Sequence, residues 1–440
     1  MTISTIEVTP SDLKGRGDAE RQAYLNTLIS QRAEFGAEVP DWVMGVRDRN
    51  LTLIQDQALP SNKTEEWRFT DPSSLYKIPF QPAAATVTAE QIQAHSWSDA
   101  AIRLVFVNGV FAPDLSSQAE VSGLQITTLK NLDASFQEYL GKTHGAEEVF
   151  TALNSCNFTD AAVLKVDRNQ SIEAPIHLLF VSAAQGEAPT VAYPRVLVVA
   201  ETGSTVTLVE DFVSVGAQTF TNAVAEIFLA ANAQVNHIRL QREETTAFHI
   251  GKTAVSQKRD SRYCSIAISL GGQLSRHNPE IVTEEQTETI LDGLTLATDS
   301  QVADTHSALT FSQAHCQAQQ LHKCIVDDHA RAVFNGRIFV PKAAQQTNAA
   351  QLSRNLLLSP KARVDTKPQL EIVADDVKCA HGATVSQLED DEVFYLQSRG
   401  LDHDNACDLL VKAFAAEILE KIPVPSIRQG LLEDVLSRLR

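Results

Sequence analysis

The sequence predicts a mainly β protein with helical ends, on three observations. Amphipathic stripes at helical spacing occupy the first and last parts of the chain. Between them, from about Ala161, short β-branched runs take over and the long stripes disappear. Several of these runs open on a similar triplet at intervals of roughly 30 residues, the spacing of stacked solenoid coils. The chain divides accordingly into an N-terminal helical region (1–90), a mixed α/β lead-in (91–160), a β-rich core (161–387) and a C-terminal helical region (388–440).

The first stripe joins Tyr24, Leu25, Leu28, Ile29 and Phe35, with Asp18 as its expected N-cap. A second carries Trp42, Val43, Val46, Leu53 and Ile54 and ends before Pro60. Residues 60–71, PSNKTEEWRFTD, read as a loop anchored at the surface by Trp67, and 77–90 as a linker. Ile102–Val107 and Val110–Phe111 flank Asn108-Gly109, the pairing a tight hairpin turn favours. A helical piece is expected over 147–153.

In the core the runs are VLKV, IHLLFV, VLVVA, VTLVEDFV, AEIFLA and VNHIRL. The recurring triplets are Ser204-Thr205-Val206, Ala233-Gln234-Val235, Arg331-Ala332-Val333 and Ala362-Arg363-Val364, and the register is irregular between 264 and 302. Periodicity leaves a β-solenoid or a sandwich. The C-terminal region carries Val393, Phe394 and Leu396 up to Arg399-Gly400, a glycine stop. Ala406, Leu409, Leu410, Ala413 and Phe414 then lead to Ile418, Pro423 and Pro425 break the run, and Ser426 is the expected cap of a last helix with Ile427, Leu431, Leu432, Val435 and Leu439. These apolar faces must be covered by the body of the protein or by a partner.

At 440 residues, 43% hydrophobic and 21% charged, the chain has the composition of a soluble globular protein. Its net charge of −18, with scattered Lys and Arg, argues against nucleic acid or an anionic membrane as partner. The first fifteen residues lack the apolar segment of a signal peptide, and no run is long enough to span a bilayer. Six dispersed cysteines without a CxxC pair predict reduced thiols and a cytoplasmic location.

The densest set of soft and titratable side chains lies in 366–387: Asp375, Asp376, Cys379 and His381. On a strand, residues two apart share a face, so Cys379 and His381 would stand side by side. Thiolate and imidazole suit iron or zinc, but closed sites take four ligands, so a metal here would borrow others. The alternative is a small buried Cys beside a hydrogen-bonded His. His315, Cys316, His322, Cys324 and His329 form a second, looser cluster that a solenoid would stack about two coils earlier, with satisfied core side chains as the default. The Asp pairs 327/328, 375/376 and 390/391 are expected to place one carboxylate inside and one in water. Gly141-Lys142-Thr143 and Gly251-Lys252-Thr253 lack the first glycine of a phosphate loop, so no nucleotide site is expected. No HExxH or GxSxG is present.

Four segments resemble one family. ADDVKCAHGATV (374–385), AQLSRNLLLSPKARVDTKPQLEI (350–372), FYLQSRGL (394–401) and KTEEWRFTD (63–71) are similar to the SufB/SufD family of the SUF iron–sulfur cluster assembly machinery. The pattern resembles the SufD branch more than SufB: Leu356-Leu357-Leu358 stands where SufB carries a CDS-type cysteine, and Ala380 replaces the usual serine of KCSHGA. The resemblance implies a central right-handed parallel β-helix over 161–387 between helical ends. It implies a non-catalytic scaffold in complex with SufB and the ATPase SufC, with SufC docking on the C-terminal helical region, where Phe414 and Leu431 are the candidate contacts. It also implies that the Cys-x-His segment meets SufB where a transient cluster or iron is built, with His381 a ligand, Cys379 its neighbour, and SufB supplying the rest. Asp375 or Asp376 would orient the His381 ring if the chain folds back.

Other readings separate cleanly. A SufB-like paralogue would carry that missing cysteine. A β-helix enzyme acting on acidic polysaccharide would be secreted and line its groove with basic residues, which this acidic chain does not suggest. A metal-free homodimeric interaction module would hold no iron when isolated with its partners.

Overall fold

The computed structural model describes residues 10–32, 39–55, 57–117, 119–216 and 218–438. Two parallel sheets face each other, and the chain passes from one to the other at almost every strand. After β1 (Ile102–Val107), β2 (Val110–Phe111), β3 (Leu124–Thr127), β4 (Ala162–Val166), β5 (Ile176–Ala183), β6 (Thr190–Ala192) and β7 (Arg195–Ala200), the alternation is strict. It runs through β8 (Thr205–Val215), β9 (Thr219–Leu229), β10 (Gln234–Gln241), β11 (Phe248–Gln257), β12 (Arg262–Ser269), β13 (Leu274–Thr283) and β14 (Glu288–Ala297). It continues through β15 (Val302–Phe311), β16 (Gln317–Val326), β17 (Arg331–Val340), β18 (Thr347–Leu357), β19 (Arg363–Ile372) and β20 (Val377–Ser386). Sheet one takes the order β2-β1-β5-β8-β10-β12-β14-β16-β18-β20, and sheet two the order β19-β17-β15-β13-β11-β9-β7-β4-β3. The chain is therefore a β-solenoid, one strand of each sheet per coil, and not a sandwich. Sheet one begins at the Asn108-Gly109 hairpin, whose two turn residues take φ of 49° and 82°.

The coil corners explain the repeated triplets. Gly203, Asn232, Asp260, Gln286, His315 and Gln346 all have positive φ, each just before a strand of sheet one. Each donates its N–H to a carbonyl of the next coil, as Asn232 does to Arg259 and His315 to Gln345. Val206 stands opposite Val235, as the triplets suggest, but Val333 stands opposite Asp365 and Val364 opposite Ala332. The last coil is longer, and a slip of one residue moves a side chain to the other face. The irregular register reflects shorter coils, in which Phe248 meets Leu274 and Arg262 meets Glu288.

Between the sheets lies a core of Val235, Ile281, Leu309, Ile338 and their neighbours. The helical ends cover opposite outer faces. α1 (Pro10–Ser30), α2 (Asp41–Gln55) and, after the short α3 (Ala89–Gln93), α4 (Val149–Asn157) pack Leu25, Val43, Ile54 and Phe150 against Phe220, Phe248 and Leu274 of sheet two. Asp18 lies within α1, paired with Arg21, and is not its cap. Leu53 of the second stripe is 42% exposed. Phe35 and Leu439, read as members of the first and last stripes, lie outside the described residues.

Trp67 is buried rather than a surface anchor. Its ring lies 5.5 Å from that of Phe150, and the guanidinium of Arg276 stacks 4.1 Å above it. Arg276 also donates to the Glu66 carbonyl (2.8 Å) and to Asp304 (2.7 Å), which accepts from Thr70 as well (2.6 Å). The segment 65–70 thus clamps the N-terminal region onto sheet two.

The C-terminal helices are α5 (Asp390–Ser398), α6 (His403–Leu419) and α7 (Pro425–Ser437). α6 and α7 cover the outer face of sheet one with Val411, Ile418, Ile427, Leu431 and Val435 against Ile238, Ile266, Leu294 and Ile325. Gly400, at φ 97°, follows α5 as its stop. Ser426 does not cap α7; Val424 holds that position, and the N–H of Ser426 donates to Asp99 instead (2.7 Å).

Three outcomes follow from this packing. Replacing His315 or Gln286 by glycine removes a left-handed penalty of about 1–2 kcal/mol less glycine's own entropic cost of about 0.5–1. Chemical denaturation should therefore show equal or slightly higher stability, and a clear loss would contradict the corner assignment. Trp67→Ala should cost about 3–5 kcal/mol, read as a lower melting temperature. Leu431→Asp should cost several kcal/mol by burying an unpaired charge, on the same readout.

Candidate functional site: the open end of the solenoid

Cys379 and His381 both lie on β20, the last strand of sheet one, with no coil beyond it. Cys379 is in register with Ala349 and Ala318, which belong to the core between the sheets, and it packs against that core. Two residues on, His381 shares the inner face. It is in register with Gln351 and, one coil further, Gln320. Both glutamines are buried, and Gln320 donates to Ser307 of sheet two (2.8 Å), which fixes this column inside the solenoid. His381 is exposed only because the stack stops there. Partial burial pushes the Cys379 thiol above its ordinary value, opposed by a backbone hydrogen bond from Ala349. A raised value keeps the thiol protonated until something compensates the charge.

Around the pair, β19 and β20 present their outer edges without a paired strand. Each runs for ten residues, and Ile372, Val373 and Val385 are exposed at 42%, 56% and 51%. Open main-chain groups beside apolar side chains form a template for another strand. Among the described residues no group of three or more His, Cys, Asp or Glu is placed to hold a metal. Asp375 and Asp376 sit in the exposed turn before β20, where Asp376 bonds to the Gln345 side chain and the Gln346 N–H, and do not reach His381 through any hydrogen bond.

The second cluster is dispersed. His322 is buried, bonded to Thr295 (3.2 Å) and stacked at 4.6 Å on Phe334, and burial pushes its imidazole down to about 4. Burial pushes the Cys324 thiol up to about 12. Cys316 donates to the Glu284 carbonyl (2.9 Å), His315 is a corner residue, and His329 is exposed in a turn. β16 does stand two coils before β20, as a solenoid requires. The Asp pairs depart from expectation. Asp375/Asp376 and Asp390/Asp391 are exposed at both positions, and Asp327/Asp328 is half-buried and exposed, because they occupy turns and a helix start rather than strands. Gly251-Lys252-Thr253 lies within β11, and the N–H of Gly141 donates to the Glu226 carboxylate (2.9 Å).

The docking candidates both pack on the body of the chain. Leu431 is fully buried against sheet one, and Phe414 is half-covered, with the Lys323 ammonium 3.8 Å above its ring. The amphipathic stripes are consumed by the chain's own body. Among the described residues, the large apolar side chains that do face out on these helices are Phe394 (71%), Tyr395 (57%) and Leu409 (44%). Sequence reading missed the Gln320–Gln351 column. Its signal was available as glutamines about one coil apart leading to His381, but only the register reveals it.

No helix of the described residues is long and apolar enough to cross a membrane. Residues 180–414 match the family model of the SUF system FeS cluster assembly SufBD core domain, and residues 18–178 that of the SufBD protein N-terminal region. An iron–sulfur cluster assembly SufBD family protein of Synechocystis is 45% identical over 431 residues, covering 94% of each chain. The iron–sulfur cluster assembly protein SufD of Escherichia coli is 35% identical over 398 residues, 89% of this chain and 92% of that one. The chloroplastic protein ABCI7 of Arabidopsis thaliana is 34% identical over 400 residues, covering 87% and 83%. Two adjoining domain matches and this near-full-length identity place the chain in the SufBD family of iron–sulfur cluster assembly proteins, as a SufD-type subunit.

Proposed function

We propose that this chain is a non-catalytic scaffold subunit that pairs with the paralogous SufB through the open end of its solenoid, lends His381 and Cys379 to the nascent cluster, and binds the SufC ATPase through its C-terminal helices. The cluster is the cargo of this machinery and not a resident group. The observation that carries the reading is the position of the pair on the inner face of the last coil, ringed by unpaired strand edges. A thiol and an imidazole are soft and intermediate donors suited to iron. Two donors leave an iron centre short of its usual four, and a strand-pairing partner would bring the others to the same place. The location proposed for this chain and its complex is the cytoplasm.

The same edges favour a second reading, a homodimer of the isolated chain joined end to end without metal, because a second copy offers identical main-chain groups. Iron content separates the two. His381→Ala removes an exposed side chain, so stability should stay within about 0.5 kcal/mol and the complex should still assemble by gel filtration. Iron and sulfide per complex after anaerobic isolation should fall sharply, with Cys379→Ala milder unless its thiol also ligates. Wild-type iron and sulfide in His381→Ala would remove that residue from the mechanism, whereas a wild-type complex isolated without iron would favour the homodimer.

For the ATPase, the contacts are the side chains that remain exposed. Phe394→Asp with Tyr395→Asp should leave the melting temperature unchanged and abolish co-purification of SufC. Retention of SufC at native stoichiometry would place its docking elsewhere.

A further inference from the structure

Gln351 lies one strand beneath His381, in register, at the roughly 4.8 Å separation of neighbouring strands. Its side chain is 2% exposed. Its amide nitrogen donates to the side-chain oxygen of Gln320 (2.7 Å), which in turn donates from its own nitrogen to the Ser307 hydroxyl (2.8 Å). In this arrangement Gln320 presents oxygen to Gln351, which answers with nitrogen and is left with its oxygen. That Oε1 is buried and has no hydrogen-bond partner. Sheet two leaves room for this side chain. Gly336 of sheet two faces the Gln351 amide, and a Cβ there would collide with it.

A buried acceptor without a donor is unfavourable, and few neighbours can supply one. Gly336, and Pro368 in register beyond it, carry no side-chain donor. Ser353 and Thr366 bond each other (3.0 Å). His381 is the remaining polar group on the adjoining inner face, and its ring always carries at least one N–H.

We infer that Gln351 is the positioning residue of His381: its buried oxygen receives one imidazole N–H and leaves the other ring nitrogen, unprotonated, turned to the open end. The inference rests on the ligand role proposed for His381 and supplies the orienting partner that Asp375 and Asp376 do not. A neutral imidazole binds metal through one nitrogen while the other is held by an acceptor, which selects the tautomer and the ring direction. The Gln320 and Ser307 bonds behind it keep that acceptor still.

The test reads the ring directly, in the metal-free full-length chain. Nitrogen NMR of histidine-labelled protein, with the His381 signals identified by their loss in His381→Ala, should show one tautomer in the wild type. Gln351→Met keeps the volume and removes the acceptor, and should give averaged tautomers. Gln351→Glu keeps an acceptor oxygen, and should restore a single tautomer. In the assembled complex, ferrous iron titrated anaerobically should bind about 10–100-fold more weakly with Gln351→Met than with wild type. Averaged tautomers in the wild type would overturn the inference without recourse to any variant, as would unchanged ring signals in Gln351→Met. Full iron in His381→Ala would instead overturn the ligand role, and the tautomer result would distinguish the two failures.

Discussion

The main-chain ladder between successive coils is what the rest of this structure depends on. Each strand from β8 to β18, eight to eleven residues long, is hydrogen-bonded on both edges, in parallel register, to the coils before and after it. Such a stack has no intrinsic end. At its start the chain closes it with antiparallel strands, β2 against β1 and β3 against β4. At β19 and β20 nothing comparable follows, because the chain leaves for the C-terminal helices, which pack on the outer face of sheet one rather than over the end. Unsatisfied main-chain groups concentrate at that end for a topological reason, and the Cys-x-His pair stands on it.

The interior is divided along its length. One side is aliphatic, with Val255, Ile281, Leu309, Ile338 and Leu370 in a single column. The other is polar, with His237, Arg239, His249, His277 and His322 buried and hydrogen-bonded or ion-paired. His237 meets Glu210 and Tyr263, and His249 meets Glu243. Buried polar groups of this kind are costly unless paired, so the lane constrains which side chains each coil accepts. Gly293 leaves room for His322 of the neighbouring strand, and Gly336 for Gln351, which reaches it from across the lumen. His381 is the next polar member beyond Gln351, the first without a coil above it.

Long-range polar contacts tie the helical ends to this stack. Arg276 and Asp304 of sheet two grip Trp67, Glu66 and Thr70. Lys323 of sheet one donates to Glu417 (2.6 Å) and to the Phe414 carbonyl (2.6 Å), and Lys421 reaches Asp292 (2.9 Å). These bonds hold α6 on sheet one, while Phe394 and Tyr395 of α5 remain outside.

By itself, the sequence determined whatever depends on local chemistry. The β-branched runs became strands, Asn108-Gly109 became the hairpin turn, Gly400 became a helix stop, and Cys379 and His381 came to share a face, because strand period and left-handed φ are properties of neighbours in the chain. Motif resemblance then pointed to the candidate pair that the structure places on β20. Tertiary structure decided what depends on residues far apart. It turned the Cys-x-His face inward, buried Leu431 and Trp67, gave the Ser426 N–H at the start of α7 to Asp99, and set Gln351 beneath His381. A single strand has two equivalent faces, and a helix stripe matches any apolar surface. Only the register between coils, and which sheet face each helix reaches, removes that ambiguity.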